Sequence, residues 1–350
     1  MGRVGRLGCA DVRFVEIDPG EVRLQHGPRP DLRPGWARVR VQACAVCGTD
    51  VHMVQGMVLP AGVSYPIRPG HEVAGIVVEV ASDPSPVAPG TPVVLHPLAP
   101  CGQCEACTAG QEQRCPMARI LGIHEPGGLA DEVVWPADRL VDVTGISPVF
   151  AALLPDAVAT AWHAYQAADV PPGGTLAVLG AGGVGTNLLQ LARIANPTAR
   201  LLAVVRTEHT AERIRALDVD TVVGLDGAAR TVREALGELD AVVDFTGVPA
   251  APAEGIRMLR RGGHLVIGSV VDEPIELGVT TTSLVTREVR IVGSYVSTIE
   301  DLRAVARLVI QSRLDLKDSV SLIMPLDEAP EGFRLVEQRP AGHVRLVFEM

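Results

Sequence analysis

The pattern of hydrophobic and polar positions changes once along the chain, near residue 146. Before that point, short apolar runs are broken by segments rich in glycine and proline, such as 28–35. Residues 36–44 alternate between apolar and polar side chains, with Val39, Val41 and Ala43 on one face. This two-residue period is typical of a half-buried strand. Further strand-like runs lie at 73–81, 92–95 and 131–135. The pattern predicts an irregular, β-rich first domain.

After residue 146, continuous apolar runs alternate with helix-length segments. The runs expected to be strands are 175–179, 201–205, 221–223, 241–245, 264–267 and 290–292, and the clearest helices between them are 184–195, 210–217 and 251–260. Apolar strands separated by helices indicate a parallel sheet covered on both faces. Six of them are typical of the α/β, doubly wound dinucleotide-binding fold. The tail holds one predicted helix, 299–310, and a final strand, 344–348. Because these two elements cannot form a core of their own, we expect the tail to pack on the first domain.

Composition and charge exclude several classes of function. The 350 residues are 47% hydrophobic and 21% charged, which is typical of a folded protein. A formal net charge of −10 would repel nucleic acid and acidic membrane surfaces, so neither is expected as a partner. The sequence has neither an apolar run long enough for a membrane span nor a leader-type segment at its N-terminus, and we expect a cytoplasmic protein.

Four of the seven cysteines form a cluster. Cys101, Cys104, Cys107 and Cys115 fall within 15 residues, at the spacing C-x2-C-x2-C-x7-C. In a reducing compartment, this spacing favours a bound metal over disulfides, with redox sensing as the alternative. Four thiolates would close a tetrahedral zinc site and leave no position for water. Cys9 and Cys44 lie apart from the cluster and are expected to be buried apolar side chains.

A glycine-rich turn follows the first strand of the predicted parallel sheet. Gly180, Gly182 and Gly185 form G-x-G-x-x-G, and the helix that the motif opens includes Gly183 and Val184. We expect the first glycine to allow the turn, the second to let a pyrophosphate approach the backbone, and the third to let helix and strand pack closely. The helix N-terminus would then present its amides to the phosphates.

The end of the second strand bears on the choice of dinucleotide. NAD-binding proteins usually place an acidic residue there, against the ribose 2′-hydroxyl, but this chain has Val205 followed by Arg206. A guanidinium can bind a 2′-phosphate, so the sequence favours NADP over NAD. The alternative is that Arg206 stacks on the adenine while Glu208 binds the ribose.

A second set of metal-ligand residues precedes the four-cysteine cluster. Cys47 lies in C-G-T-D-V-H, and His71 and Glu72 lie in G-H-E. Thiolate, imidazole and carboxylate are all zinc ligands. Over essentially the whole chain, the sequence resembles the zinc-containing medium-chain dehydrogenases. The resemblance lies in four motifs in this order: C-G-T-D-x-H, G-H-E, four cysteines, and strand–GxGxxG–helix.

The resemblance implies a domain organisation and a third catalytic zinc ligand. Residues 1–155 and 298–350 would form a GroES-like catalytic domain with a zinc lobe at 97–118, and residues 156–297 would form the Rossmann domain. Cys47 and His71 would bind the catalytic zinc. The second cysteine of many members is absent here, and Leu154-Pro-Asp resembles the branch whose ligand is an aspartate, here Asp156. A helix N-cap is the alternative for Asp156, and whether Glu72 is a permanent ligand stays open.

The resemblance also implies an activity. The chain would be an alcohol dehydrogenase or carbonyl reductase, in which zinc lowers the pKa of a bound alcohol and hydride leaves the alkoxide for the dinucleotide. Thr49 and His52 would carry the proton to solvent, although a structural His52 is the alternative. Thr160 would contact the nicotinamide and Arg345 the pyrophosphate. Relatives are homodimers or homotetramers, so either is expected.

Three other functions compete with an alcohol dehydrogenase. A reductase of conjugated C=C bonds (enals or enones) on the same scaffold would need neither the zinc alkoxide nor Thr49 and His52. A nucleic-acid-binding zinc ribbon is disfavoured, because the segment 101–115 holds one arginine against two glutamates and lacks aromatic side chains. A scaffold protein that has lost its activity is hard to reconcile with complete ligand and relay residues.

Overall fold

The computed structural model describes residues 11–81, 84–224, 227–271, 273–275, 277–338 and 342–350. Cys9 therefore lies outside the described residues. The contacts between residues divide the chain into two units. The first unit runs to Pro155 and includes Val320–Met350, and the second unit spans Asp156–Ser319. The second boundary differs from the expected one at residue 298. Residues 298–319, assigned to the catalytic tail by the sequence pattern, belong to the second unit.

The first unit is built on an antiparallel sheet. Its elements up to residue 155 are β1 (Val12–Asp18), β2 (Glu21–Gly27), β3 (Trp36–Ala45), α1 (Gly48–Val54), β4 (Glu72–Val80), β5 (Pro92–Leu95), β6 (Leu98–Ala99), α2 (Glu105–Thr108), β7 (Arg119–Ile120), β8 (Glu132–Pro136), β9 (Leu140–Asp142) and α3 (Pro148–Ala151). Short 3₁₀ turns lie at Glu112–Arg114 and Ala137–Arg139. Central strand β3 pairs with both β4 and β8, and its inward side chains join a core that contains Trp135 and Phe348.

The second unit is a doubly wound α/β domain. After a π-helical turn at Leu154–Val158, its elements are α4 (Ala159–Ala168), β10 (Thr175–Leu179), α5 (Gly183–Ala195), β11 (Arg200–Val205), α6 (Glu208–Arg215), β12 (Thr221–Gly224), α7 (Ala228–Leu236), β13 (Leu239–Asp244), α8 (Ala251–Met258), β14 (Leu259–Ile267), α9 (Thr281–Arg287), β15 (Arg290–Gly293) and α10 (Ile299–Ile310), followed by a 3₁₀ turn at Lys317–Ser319. The parallel strands lie in the order β12-β11-β10-β13-β14-β15. This order reverses direction beside β10, and the predicted fold class is confirmed.

The C-terminal segment returns to the first unit's sheet. It contains β16 (Leu322–Pro325), a 3₁₀ turn at Leu326–Glu328, α11 (Ala329–Gln338) and β17 (Leu346–Glu349). Strand β17 pairs antiparallel with β3 and parallel with β16. The sequence pattern predicts only the final strand in this segment. Strand β16 and helix α11, with its buried residues Phe333 and Val336, are not predicted by it.

Helix α10 belongs to the second unit because its buried face packs there. Leu302 and Val305 are fully buried. On the same face, the Asp301 carboxylate lies 2.8 Å from Nδ1 of His163 and accepts a hydrogen bond from Nε2 of Gln166 in α4. These contacts explain why the expected boundary at residue 298 differs from the observed one.

Strand β3 also departs from simple alternation. Arg38, which simple alternation places on the face opposite Val39 and Val41 and therefore towards solvent, is only 7% exposed. Its guanidinium donates to the Pro30 carbonyl and to carboxylates of Glu79 and Glu132. Burial of this charged residue is tolerated because Nε and Nη1 of the guanidinium meet acceptors, two of which are carboxylates.

Within the part of the chain that the structure describes, the helices are too short or too polar to cross a bilayer.

Candidate metal and dinucleotide sites

Helix α1 places three of the predicted catalytic residues. Cys47 is its N-cap, and the Cys47 thiol lies 3.9 Å from the Thr49 hydroxyl. Thr49 and His52 are three positions apart, so both lie on one face of the helix. The helix start is held by Asp50, a fully buried carboxylate whose Oδ2 accepts the Cys47 backbone N–H at 2.8 Å. Sequence analysis did not single out Asp50.

His71 and Glu72 lie where β4 begins. His71 is 7% exposed and Glu72 is fully buried. Oδ1 of Asp50 lies 3.8 Å from Nδ1 of His71. If Nε2 of His71 binds a metal, Nδ1 carries the proton and faces this carboxylate, which would orient the ring as outer-shell carboxylates do.

Asp156 lies in the π-helical turn Leu154–Val158. Its Oδ1 accepts a hydrogen bond of 2.8 Å from the hydroxyl of Thr160, which is itself buried. The N-cap of α4 is Val158, so the alternative interpretation of Asp156 as that helix's N-cap is wrong. π-turns of this kind often occur at functional sites.

Cys47, His71, Glu72 and Asp156 converge on one point. Each offers one ligand atom, and these atoms lie within 4.8 Å of one another. A thiolate and a carboxylate together balance the charge of Zn²⁺, and an imidazole completes three ligands of types that zinc binds. The residues present therefore fit a zinc ion with one position left for a further ligand.

The fourth residue of this cluster, Glu72, is held by an arginine. Oε1 of Glu72 accepts a hydrogen bond from the guanidinium of Arg345, and both side chains are buried. Sequence analysis expected Arg345 to contact a pyrophosphate, whereas the structure directs its guanidinium to Glu72. An ion pair of this kind competes with a metal for the carboxylate, because one oxygen is already engaged.

The four-cysteine cluster forms a second candidate metal site. The four sulfur atoms lie within 4.8 Å of one another, with 3.4 Å between Cys104 and Cys107. Backbone N–H groups of Gln103 and Cys104 lower the pKa of the Cys101 thiol to about 6. A lowered pKa favours the thiolate, which is the form that binds zinc. The set fits a closed, structural zinc site.

We expect the Cys104→Ser variant to lose one zinc per chain and about 3 kcal/mol of unfolding free energy, which lowers Tm by roughly 5–10 °C. The loss follows because a serine hydroxyl is a poor zinc ligand. Elemental analysis and calorimetry measure the two effects. Thr108→Ala, in the same lobe, is the control and should change neither. Unchanged zinc content in the serine variant would contradict the assignment.

The glycine turn has the geometry of a phosphate site. Gly180 adopts φ +85°, a left-handed conformation that favours glycine. A Cβ on Gly185 would lie 2.2 Å from the Gly180 carbonyl, so helix α5 and strand β10 approach too closely for any side chain. A Cβ on Gly182 would meet open space, and Gly183 and Val184 form the first turn of α5. Backbone amides are therefore accessible at the helix start.

Arg213 supports this turn and was not expected from the sequence. Its guanidinium donates to the Ala181 carbonyl at 2.8 Å and to the Thr186 hydroxyl at 3.0 Å. The Thr186 hydroxyl also donates to Ala181. Burial lowers the pKa of Arg213. The turn's carbonyl is thus held by two donors, which leaves it fixed when a phosphate binds nearby.

At the end of β11, the residues expected near the ribose have separate environments. Val205 is buried, whereas Arg206 is exposed and makes no ion pair with the residues described. Glu208, the alternative ribose ligand, pairs with Arg215 at 2.5 Å.

Two family models match the chain. Residues 33–145 match the alcohol dehydrogenase GroES-like domain, and residues 183–311 match the zinc-binding dehydrogenase domain. An alcohol dehydrogenase from Geobacillus stearothermophilus is 30% identical over 289 residues, which cover 81% of this chain and 83% of that protein. The chain belongs to the zinc-containing medium-chain dehydrogenases.

Other relatives of this dehydrogenase act on different alcohols. A D-altritol 5-dehydrogenase from Agrobacterium fabrum (strain C58) is 30% identical, with 81% of this chain and 83% of that protein covered. The solved structure of a protein assigned to the zinc-binding dehydrogenases, from Sinorhizobium meliloti 1021 and bound to NADP, has a TM-score of 0.87 and 28% identity. The match covers 97% of this chain and 100% of that one. The family resemblance is confirmed, and the chain is an oxidoreductase of the dehydrogenase type.

Proposed function

We propose that this dehydrogenase interconverts an alcohol and its ketone or aldehyde at a zinc ion held by Cys47, His71 and Asp156. The observation that carries the proposal is the convergence of a thiol, an imidazole and a carboxylate within 4.8 Å. Glu72 is engaged by Arg345, which favours a site whose fourth position is open to substrate. Catalytic zinc sites keep such a position, whereas structural sites do not.

The bound zinc would supply Lewis-acid polarisation of the substrate oxygen. The protein's own residues would handle the proton. Thr49 lies beside Cys47, and its Oγ1 would receive the hydroxyl proton of an alcohol substrate as the threonine's own hydroxyl proton is passed on. His52, on the same face of α1 and half-buried, would pass that proton towards solvent.

The dinucleotide would bind with its pyrophosphate at the start of α5 and accept the hydride. We favour NADP over NAD as this dinucleotide. Arg206 is exposed and lacks a carboxylate partner among the described residues, while Glu208 is paired with Arg215. The similar protein from S. meliloti is bound to NADP, which also supports this choice. Thr160 and Arg345 are engaged by Asp156 and Glu72, so we propose that they act through those carboxylates.

The Thr49→Val variant should lower kcat/KM for alcohol oxidation by about 100-fold, as expected when a proton-transfer group is removed. Valine keeps the volume of threonine and removes only the hydroxyl. Steady-state kinetics measure the change, with Thr49→Ser as the matched variant. Serine restores the hydroxyl and should keep the rate within a few-fold of wild type. Equal loss in both variants would contradict a role for the hydroxyl.

Activity on a panel of substrates tests the function as a whole. Zinc-replete protein would be assayed with primary, secondary and polyhydric alcohols, their carbonyl partners and conjugated enals, each with NAD(H) and NADP(H). We expect turnover of alcohols and carbonyls, abolished by chelation and restored by zinc. Reduction of the enal C=C bond, with the carbonyl untouched, would instead identify an alkene reductase.

A further inference from the structure

Asn187 lies in the second turn of α5 and is fully buried. Its side-chain amide bonds two other segments of the second unit and the first turn of its own helix. Nδ2 donates to the Ala157 carbonyl at 3.1 Å and to the Gly183 carbonyl at 2.9 Å. Oδ1 accepts a hydrogen bond of 2.7 Å from the hydroxyl of Ser319. Both hydrogens and the oxygen of the amide therefore have partners.

These partners lie at two functional places. Ala157 directly follows Asp156 in the π-helical turn, and Gly183 opens the first turn of α5. A single buried amide thus ties the turn that carries a proposed metal ligand to the helix start that would bind the pyrophosphate. Buried networks with every member satisfied hold their segments in one arrangement.

We infer that Asn187 is a positioning residue for the metal ligand Asp156, and that it couples this ligand to the dinucleotide helix. The inference rests on the proposed function. Without the Nδ2 donor, the Ala157 carbonyl loses this hydrogen bond, and the backbone that carries Asp156, whose Oδ1 also accepts from Thr160, is held less firmly. Losing an outer-shell partner of a metal ligand typically weakens metal binding about 10–100-fold.

Three variants separate the contacts. Asn187→Leu keeps the volume and removes all three hydrogen bonds. Asn187→Asp keeps the shape and the acceptor for Ser319 but removes both donors. Ser319→Ala is the matched control, because it removes a bond to the same amide and leaves both donors in place. Thermal unfolding verifies that each variant folds.

Zinc release to a coloured chelator is the primary measurement. We expect the zinc of the Cys47 site to leave about tenfold faster or more from both Asn187 variants. Release from the four-cysteine site should be unchanged, and Ser319→Ala should behave as wild type. Wild-type release rates in the Asn187 variants would overturn the inference, as would an equally large effect of Ser319→Ala. A wild-type protein that binds zinc only at the four cysteines would instead overturn the proposed function.

Adenosine diphosphate tests the coupling, because it carries the pyrophosphate and has no nicotinamide. We expect saturating ADP to slow zinc release from the Cys47 site of wild type and of Ser319→Ala by about fivefold. In Asn187→Leu the ADP effect should vanish even where ADP still binds. An ADP effect of equal size in all variants would overturn the coupling.

Discussion

Asp156→Asn is expected to lower kcat/KM for alcohol substrates by about a thousandfold and to leave the protein with one zinc per chain in place of two. The asparagine amide is neutral, so the site would hold Zn²⁺ with a single thiolate as its only anionic permanent ligand. A thousandfold loss corresponds to about 4 kcal/mol of transition-state stabilisation, a size that metal catalysis can account for. Kinetics and elemental analysis measure the two effects on one preparation.

Asp156→Cys is the matched variant for this prediction. A second thiolate keeps the charge of the ligand set, so zinc should be retained and part of the activity should remain. The cysteine cannot accept the Thr160 hydrogen bond as a carboxylate does, and we expect a rate below that of wild type. If Asp156→Asn retained both zinc ions and normal turnover, Asp156 would not be a ligand.

The second large effect concerns the dinucleotide. Arg206→Ser should lower the NADP/NAD ratio of kcat/KM by about 10–100-fold, because a charge-assisted hydrogen bond contributes about 1.5–3 kcal/mol. Most of the change should appear as a higher KM for NADP, while turnover with NAD stays the same.

Arg200→Ser is the control for charge. Arg200 is equally exposed, lies at the opposite end of the same strand and has no ion-pair partner among the described residues, so its loss changes the net charge identically. It should leave the ratio unchanged. An unaltered ratio in Arg206→Ser would mean that this arginine does not bind the 2′-phosphate.

The parallel sheet was predictable because its central strands are buried on both faces. Thr175–Leu179 was located to the residue, and Arg200–Val205 differs by one position. A continuous apolar run depends little on its partners. The hairpin of β1 and β2 was missed, since the Glu21–Gly27 strand is mostly half-buried or exposed and carries no clear period.

Other differences come from contacts distant in sequence. The expected polar position of Arg38 failed because its acceptors Glu79 and Glu132 lie 41 and 94 residues away. Helix α11 was missed because Pro330 and Gly332 look like breakers. Proline is compatible with the first turn of a helix, and Gly332 is required where Phe348 packs against it.

In the candidate site too, local motifs could be predicted from the sequence, whereas contacts between distant residues could not. Cys47, Thr49 and His52 lie in one local motif, so the sequence alone was enough to propose them. Asp50 lies in the same motif. Because carboxylates often orient metal-binding histidines, the sequence could also have suggested that Asp50 orients His71. The contact of Arg345 with Glu72 spans 273 residues, and no local pattern reveals it.

Anomalous diffraction at the zinc absorption edge, from crystals of the zinc-replete protein, tests the central claim most directly. We expect two peaks per chain, one among the four cysteines and one bonded to Cys47, His71 and Asp156, with a water in its fourth position. The account would be contradicted if the second peak were absent. It would also be contradicted if Glu72 were a permanent fourth ligand of that zinc, with no water bound.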